Sequence, residues 1–121
     1  MMKKILITAI AIAMIPLVWG KDKTTECSWY GDKYKGRAMA SRVKFDPAKP
    51  YIASWDYPFG TWLQLQYGTN KVVGVVMDRG PVRRLYHKGR KLDISKSLFK
   101  KLVGDLDVGV VKVKYRKVTV R

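Results

Sequence analysis

Cysteine is almost absent from this chain. Cys27 is the only one in 121 residues, so no intrachain disulfide can staple the fold, even where the compartment would permit one. Histidine is as scarce: the single His87 sits in what reads as a basic loop, Arg83-Arg84-Leu85-Tyr86-His87-Lys88-Gly89-Arg90, far along the chain from Cys27. A transition-metal site needs several such ligands, so the sequence assigns no metal and no cofactor, and His87 reads as surface. No phosphate-binding glycine loop and no Ser/His/Asp order points to another chemistry. Acidic residues are few, nine against 25 Lys and Arg, for a formal net charge of +16. A surface of that sign seeks polyanions. No long amphipathic helix accompanies the charge, which argues against a membrane-surface protein. Repeats, linkers and low-complexity tracts are also missing after Gly20.

Long apolar runs are confined to one place. Behind Met1-Met2-Lys3-Lys4 the chain is apolar from Ile5 to Trp19, interrupted by Thr8 and Pro16. A basic start, an apolar core short for a bilayer span and the terminal Val18-Trp19-Gly20 fit a secretory signal peptide over residues 1–20, with cleavage after Gly20. Residues 21–121 then form one domain, expected in the periplasm or in the extracellular cell wall. A lipid anchor on Cys27 does not fit Thr24-Thr25-Glu26 before it, and Cys27 is expected to be buried. Outside the membrane the available polyanions are wall glycans with their carboxylates, wall phosphodiester polymers and lipid headgroups. The charge therefore predicts adhesion to an anionic wall, with no nucleic-acid partner and no stable membrane insertion after cleavage, by a monomer.

Turn signals recur at short intervals along that domain. Cys27-Ser28-Trp29-Tyr30 reads as a short strand ended by Gly31, and Tyr51-Ile52-Ala53-Ser54-Trp55 as another after Lys49-Pro50. Pro58-Phe59-Gly60 turns into the alternating Thr61–Tyr67. Gly68-Thr69-Asn70 forms a hairpin loop into the apolar Val72–Met77. Leu98, Phe99 and Leu102 give residues 95–103 a helical face. Val108 to Val120 alternates again, with Val111, Val113 and Tyr115 opposite Lys112, Lys114 and Arg116. The fold class is mainly β, a small barrel with one or two short helices.

Asp78-Arg79-Gly80-Pro81 and Leu92-Asp93-Ile94-Ser95 are the segments that suggest chemistry. Gly-Pro ends a buried strand and leaves Asp78 beside a loop. Asp93 stands just before the expected helix, where free N–H groups favour a carboxylate. Each alone suits a structural role, as a turn former or a cap; together at element ends they could share a cleft for acid/base chemistry on a sugar.

The order Ser28-Trp29-Tyr30-Gly31, Gly36-Arg37 with Met39-Ala40, Phe45-Asp46, Pro58-Phe59-Gly60-Thr61, Asp78-Arg79-Gly80-Pro81 and Asp93-Ile94-Ser95 resembles the rare lipoprotein A (RlpA) family, related to expansins, over nearly the whole domain. The resemblance implies a six-stranded double-psi β-barrel with a groove across one face. It also implies an exported protein acting on peptidoglycan, as a lytic transglycosylase or, in the alternative, as a non-catalytic expansin-like wall-binding module. Two positions depart from the family pattern. Ser41-Arg42-Val43-Lys44 replaces Asn-Gly-Glu and a basic residue, putting Val43 where the suspected catalytic Glu stands, and Ser54 occupies a His position. Asp46, Asp78 and Asp93 match.

Cleaving a glycosidic bond needs a proton donor for the leaving oxygen, and hydrolysis normally needs a second carboxylate. A transglycosylase manages with one carboxyl acting first as acid and then as base, because the sugar's own hydroxyl is the nucleophile. Asp78 and Asp93 are the candidate catalytic groups, with Asp46 orienting loop or substrate. Trp55 and Tyr57, expected to be exposed beside a turn, join Tyr30 and Arg79 as candidate substrate-binding residues. Export predicts a mature chain beginning at Lys21, and N-terminal sequencing of the exported product checks it; a retained Met1 would make the apolar segment an anchor.

Overall fold

The structure is a computed structural model and describes residues 17–120. The expected leader therefore lies outside the described residues as far as residue 16. Seven strands form one sheet: β1 (Leu17–Trp19), β2 (Lys23–Tyr30), β3 (Tyr51–Ala53), β4 (Trp62–Tyr67), β5 (Asn70–Asp78), β6 (Arg90–Ser95) and β7 (Val110–Val120). Six of them close on themselves in the order β2-β6-β3-β5-β4-β7, because β7 pairs with both β4 and β2. The sheet is mixed: β2–β6 and β3–β5 are parallel, and the other barrel pairs are antiparallel. Closure removes the free edges that a small sheet would otherwise expose. β1 adds to the far end of β7, pairing with Val118–Val120.

Alternation decides which residues go inside. Val111, Val113 and Tyr115 are buried along β7, as are Leu63 and Leu65 along β4 and Leu92 and Ile94 along β6. Cys27 is fully buried in β2, and burial pushes its thiol pKa well above the ordinary value, which leaves it inert. Helix α1 (Arg83–His87) and helix α2 (Lys96–Val103) complete the fold. Ser95 caps α2 by accepting from the Leu98 N–H, and Gly104 ends it at φ 92°. Leu98, Phe99 and Leu102 then plug one end of the barrel.

Two expectations need correction. The Leu92-Asp93-Ile94-Ser95 segment is not a helix approach but the body of β6, so Ser95, not Asp93, is the cap. The basic run at 83–87 is not loop but one short helix, with exposed His87 in its last turn and set edge-on to Tyr86. Its missing capping residue explains why no start signal was visible.

Gly74 is required by packing. A Cβ there would meet Leu98 Cδ1 at 2.6 Å and Ile52 Cδ1 at 2.9 Å, and both residues lie in the buried cluster. Gly74→Ala is expected to cost about 1–3 kcal/mol by overpacking, read as a lowered denaturation midpoint; an unchanged midpoint would show that α2 yields freely.

Candidate active site

Strand register builds the site. Ser28 pairs with Asp93 across β2–β6, Asp93 with Ala53 across β6–β3, and Ala53 with Asp78 across β3–β5. Directly paired residues share a face, so Ser28, Asp93, Ala53 and Asp78 form one row over four strands. That row faces away from the core, because its neighbours Cys27, Leu92, Ile94, Ile52 and Val76 point inward. Two bulges set this phase. β5 is offset between Ile52↔Val76 and Ala53↔Asp78, leaving Met77 over, and β6 is offset between Glu26↔Arg90 and Cys27↔Leu92, leaving Lys91 over. Without the first offset, Asp78 would have the same inward parity as Val76.

The row opens into a cavity of about 260 Å³ whose lining includes Asp78, Asp93, Tyr30, Tyr34, Arg37 and Met39. A second depression beside it shares Tyr30, Tyr34 and Asp93 and adds Trp29 and Lys33. Asp93 thus stands between two adjoining hollows. Its Oδ1 accepts a hydrogen bond from the Ser28 hydroxyl. Gly80 packs beside Asp93: a Cβ there would lie 3.3 Å from Ala53 Cβ and 3.9 Å from Asp93 Oδ2. Burial raises the Asp93 pKa above its ordinary value; the Ser28 hydrogen bond and Arg90 oppose that shift, and the charge of Asp78 adds to it.

Asp78 is placed differently. Its Oδ1 accepts from the backbone N–H of Ala40 at 2.9 Å and of Arg79 at 2.8 Å. The first bond ties down the hairpin whose arms bridge at Ala38 and Lys44 and which also donates from Ser41 N to Met77 O. This hairpin roofs the cavity through Ala38 and Met39. Gly80-Pro81 is cis and forms the adjacent wall.

Tyr30 lies on the Phe45 ring at 4.5 Å between centroids. Its hydroxyl is buried with no hydrogen-bond partner among the described residues. Burial first, then Asp78, Asp93 and Tyr51, keep that phenol protonated by raising its pKa. Arg79 lines the cavity but spends Nη1 on the Ser54 and Tyr57 carbonyls, both at 2.9 Å, and lays its guanidinium over Phe59.

Three expected residues are not brought to the cavity. Asp46 accepts from Ala48 N at 2.9 Å in a tight turn and is absent from the cavity lining. Trp55 and Tyr57 are half-buried rather than exposed. Trp55 donates Nε1 to the Pro81 carbonyl at 2.6 Å beneath the Arg83 guanidinium, and Tyr57 packs on the core. Exposed aromatics are found instead at Phe59, Trp62 and Tyr67. Ser28, Tyr34 and Arg37 are not among the site residues expected from the sequence, although Ser28 and Arg37 stand in its motifs; the Ser28-x-Tyr30 spacing on one strand face was the available signal for Ser28. At the two departures from the family pattern, Val43 is exposed on the hairpin, and Ser54 is buried with its Oγ accepting from Asp56 N. Among the described residues no group of His, Cys, Asp and Glu could hold a metal ion, and no helix is long and apolar enough to cross a membrane.

Known proteins resemble this chain in sequence and in fold. The probable endolytic peptidoglycan transglycosylase RlpA of Aquifex aeolicus (strain VF5) is 43% identical over 86 residues, covering 69% of this chain and 36% of that relative. The chain is an RlpA-like double-psi β-barrel. It spans little more than a third of that relative's length. Among solved structures, the Streptomyces papain inhibitor superposes with a TM-score of 0.64 at 26% identity, over 88% of this chain and 99% of the inhibitor. A mutant Clavibacter michiganensis expansin in complex with cellohexaose superposes with a TM-score of 0.65 at 17% identity, over 82% of this chain and 51% of that protein, a likeness of fold. No family model matches the chain.

Because the Ser28 hydroxyl stabilises the charged form, Ser28→Ala is expected to raise the Asp93 pKa further, checked by carboxyl-carbon NMR titration. A carboxyl whose folded pKa exceeds its unfolded one binds its proton more tightly in the fold. It therefore lowers stability as pH rises from the unfolded value through the raised folded one. Over that interval Asp93→Asn should gain stability relative to the parent, and below it the two should converge. Thermal melts across acidic pH test the sign.

Proposed function

We propose that this barrel is an exported, monomeric lytic transglycosylase that cleaves peptidoglycan glycan strands, with Asp93 as acid and then base. The supporting observation is the Asp93 carboxyl itself: half-buried, raised in pKa by desolvation, and lining two adjoining hollows. An acid of that kind holds its proton nearer working pH. Asp93 gives the proton to the glycosidic oxygen, and the bond from that oxygen to the anomeric carbon breaks. The 6-hydroxyl of the same sugar attacks the anomeric carbon, and its proton passes to the Asp93 carboxylate, leaving an anhydro end and consuming no water. Asp78 supports this by holding the roof hairpin and by raising Asp93 electrostatically. Tyr30 lines the cavity, and Tyr34, with Lys33 and Arg37 over its ring at 5.0 and 5.7 Å, supplies a cation-flanked aromatic wall. Those cations complement the carboxylates of the wall.

A binding-only, expansin-like module is the second reading. Exposed Val43, standing where the RlpA pattern carries glutamate, favours it. Incubation with sacculi and with peptide-stripped glycan separates the two. Anhydro-sugar ends are expected, and Asp93→Asn should reduce their rate about 10²–10⁴-fold with pull-down intact. Pull-down without anhydro ends at high protein load would establish the binding module. Retention on sacculi should also weaken steeply toward about 1 M salt, where the Debye length falls to roughly 3 Å.

A further inference from the structure

Away from Asp93 the barrel carries a further depression, of about 460 Å³, lined by Phe59, Thr61, Trp62, Lys117 and Val118. Phe59 and Trp62 are 40% and 45% exposed, and two large aromatic side chains left in water beside one hollow mark a contact surface. Their backbone is fixed. Trp62 begins β4 and is paired on both sides, with Val75 and Val118. The turn before it is held by Gly60 N to Val76 O and Thr61 N to Pro58 O. The Arg79 guanidinium lies 3.9 Å from the Phe59 ring centroid while Arg79 also lines the Asp93 cavity. The stacked Arg79–Phe59 pair therefore stands between the two hollows, one residue lining each.

We infer that the Phe59–Trp62–Lys117 depression is an accessory saccharide site that takes sugar rings of the same glycan strand, beyond those held at Asp93. This rests on the glycan-cleaving reading. Flat aromatic faces suit pyranose rings, a fixed backbone limits the ordering cost on binding, and Lys117 complements a carboxylate-bearing strand. Its position next to the acid cavity, across the Arg79–Phe59 pair, favours a polymeric glycan over a protein partner. The site makes the enzyme prefer long strands.

Binding of a disaccharide and of long peptide-free glycan fragments to Asp93→Asn protein, which does not turn them over, tests this. Adding Trp62→Ala should weaken the long fragment about tenfold, equivalent to 1.4 kcal/mol, and leave the disaccharide unchanged, while Trp62→Phe keeps most of the affinity. In protein retaining Trp62, long fragments and not the disaccharide should protect this indole from oxidation by N-bromosuccinimide, a readout independent of how well the alanine variant folds. Equal affinity for long fragments with and without Trp62, absent protection, or equal losses for both fragment lengths would overturn the accessory site alone. Failure of either fragment to bind at all would overturn the glycan reading with it.

Discussion

Two single-residue offsets, at Met77 in β5 and Lys91 in β6, govern everything the site does. Side chains on a strand alternate, so one extra residue exchanges the inward and outward sets beyond it. In β5 the offset takes Asp78 out of phase with Gly74 and Val76, which pack inward, and turns it to the outer face beside Ala53. In β6 it brings Leu92 opposite Cys27, so that both enter the core and Asp93 falls opposite Ser28. An unshifted ladder would bury one carboxylate among apolar side chains, or lose the core to keep it out. The barrel closes with the acids on its surface because the bulges reconcile core packing with cavity placement.

Small residues then create the space. Ala53 stands between the two acids in the row, and Gly80 packs beside Asp93 with no side chain of its own. Larger groups at either position would fill the volume that a substrate oxygen must reach. The environment of Asp93 is a balance of opposed terms: burial disfavours its charge, and the Ser28 hydroxyl partly restores it. Full burial without Ser28 would lock the proton on; full solvation would lose it at neutral pH. Asp78 lies two strands away and is engaged by two backbone N–H groups, which makes it a fixed anchor for the roof. Two carboxylates of one residue type thus take different parts because their neighbours differ.

Local pattern made much of this legible. The β7 alternation named Val111, Val113 and Tyr115, and the helical face named Leu98, Phe99 and Leu102, because burial of a stripe or a face is written at fixed spacing. Asp78 and Asp93 were recognisable from their motifs. β6 was hidden because it runs into α2 with no intervening glycine or proline, so the helical spacing masked the short Leu92/Ile94 alternation. Ser28 could not be paired with Asp93, 65 residues away, since register and bulges arise from pairing between distant strands. Trp55 and Tyr57 looked exposed because a turn lies between them, but a turn's exposure does not extend to side chains folded back under it, as the Trp55 bond to Pro81 shows.

The roof hairpin shows which features of the site depend on shape and which on residue identity. Arg42 adopts φ 75° at the position where the RlpA pattern carries glycine, a left-handed conformation that costs a residue with a Cβ roughly 1–2 kcal/mol. The conformation persists because the hairpin is fixed from outside itself, through Ala40 N to Asp78 and Ser41 N to Met77 O. The backbone thus keeps its form although Ser41, Arg42 and Val43 have all departed from the pattern. Val43, exposed and with no titratable group, contributes no proton. On the proposed glycan-cleaving reading the proton transfer falls to Asp93, the carboxyl that burial already inclines to hold one.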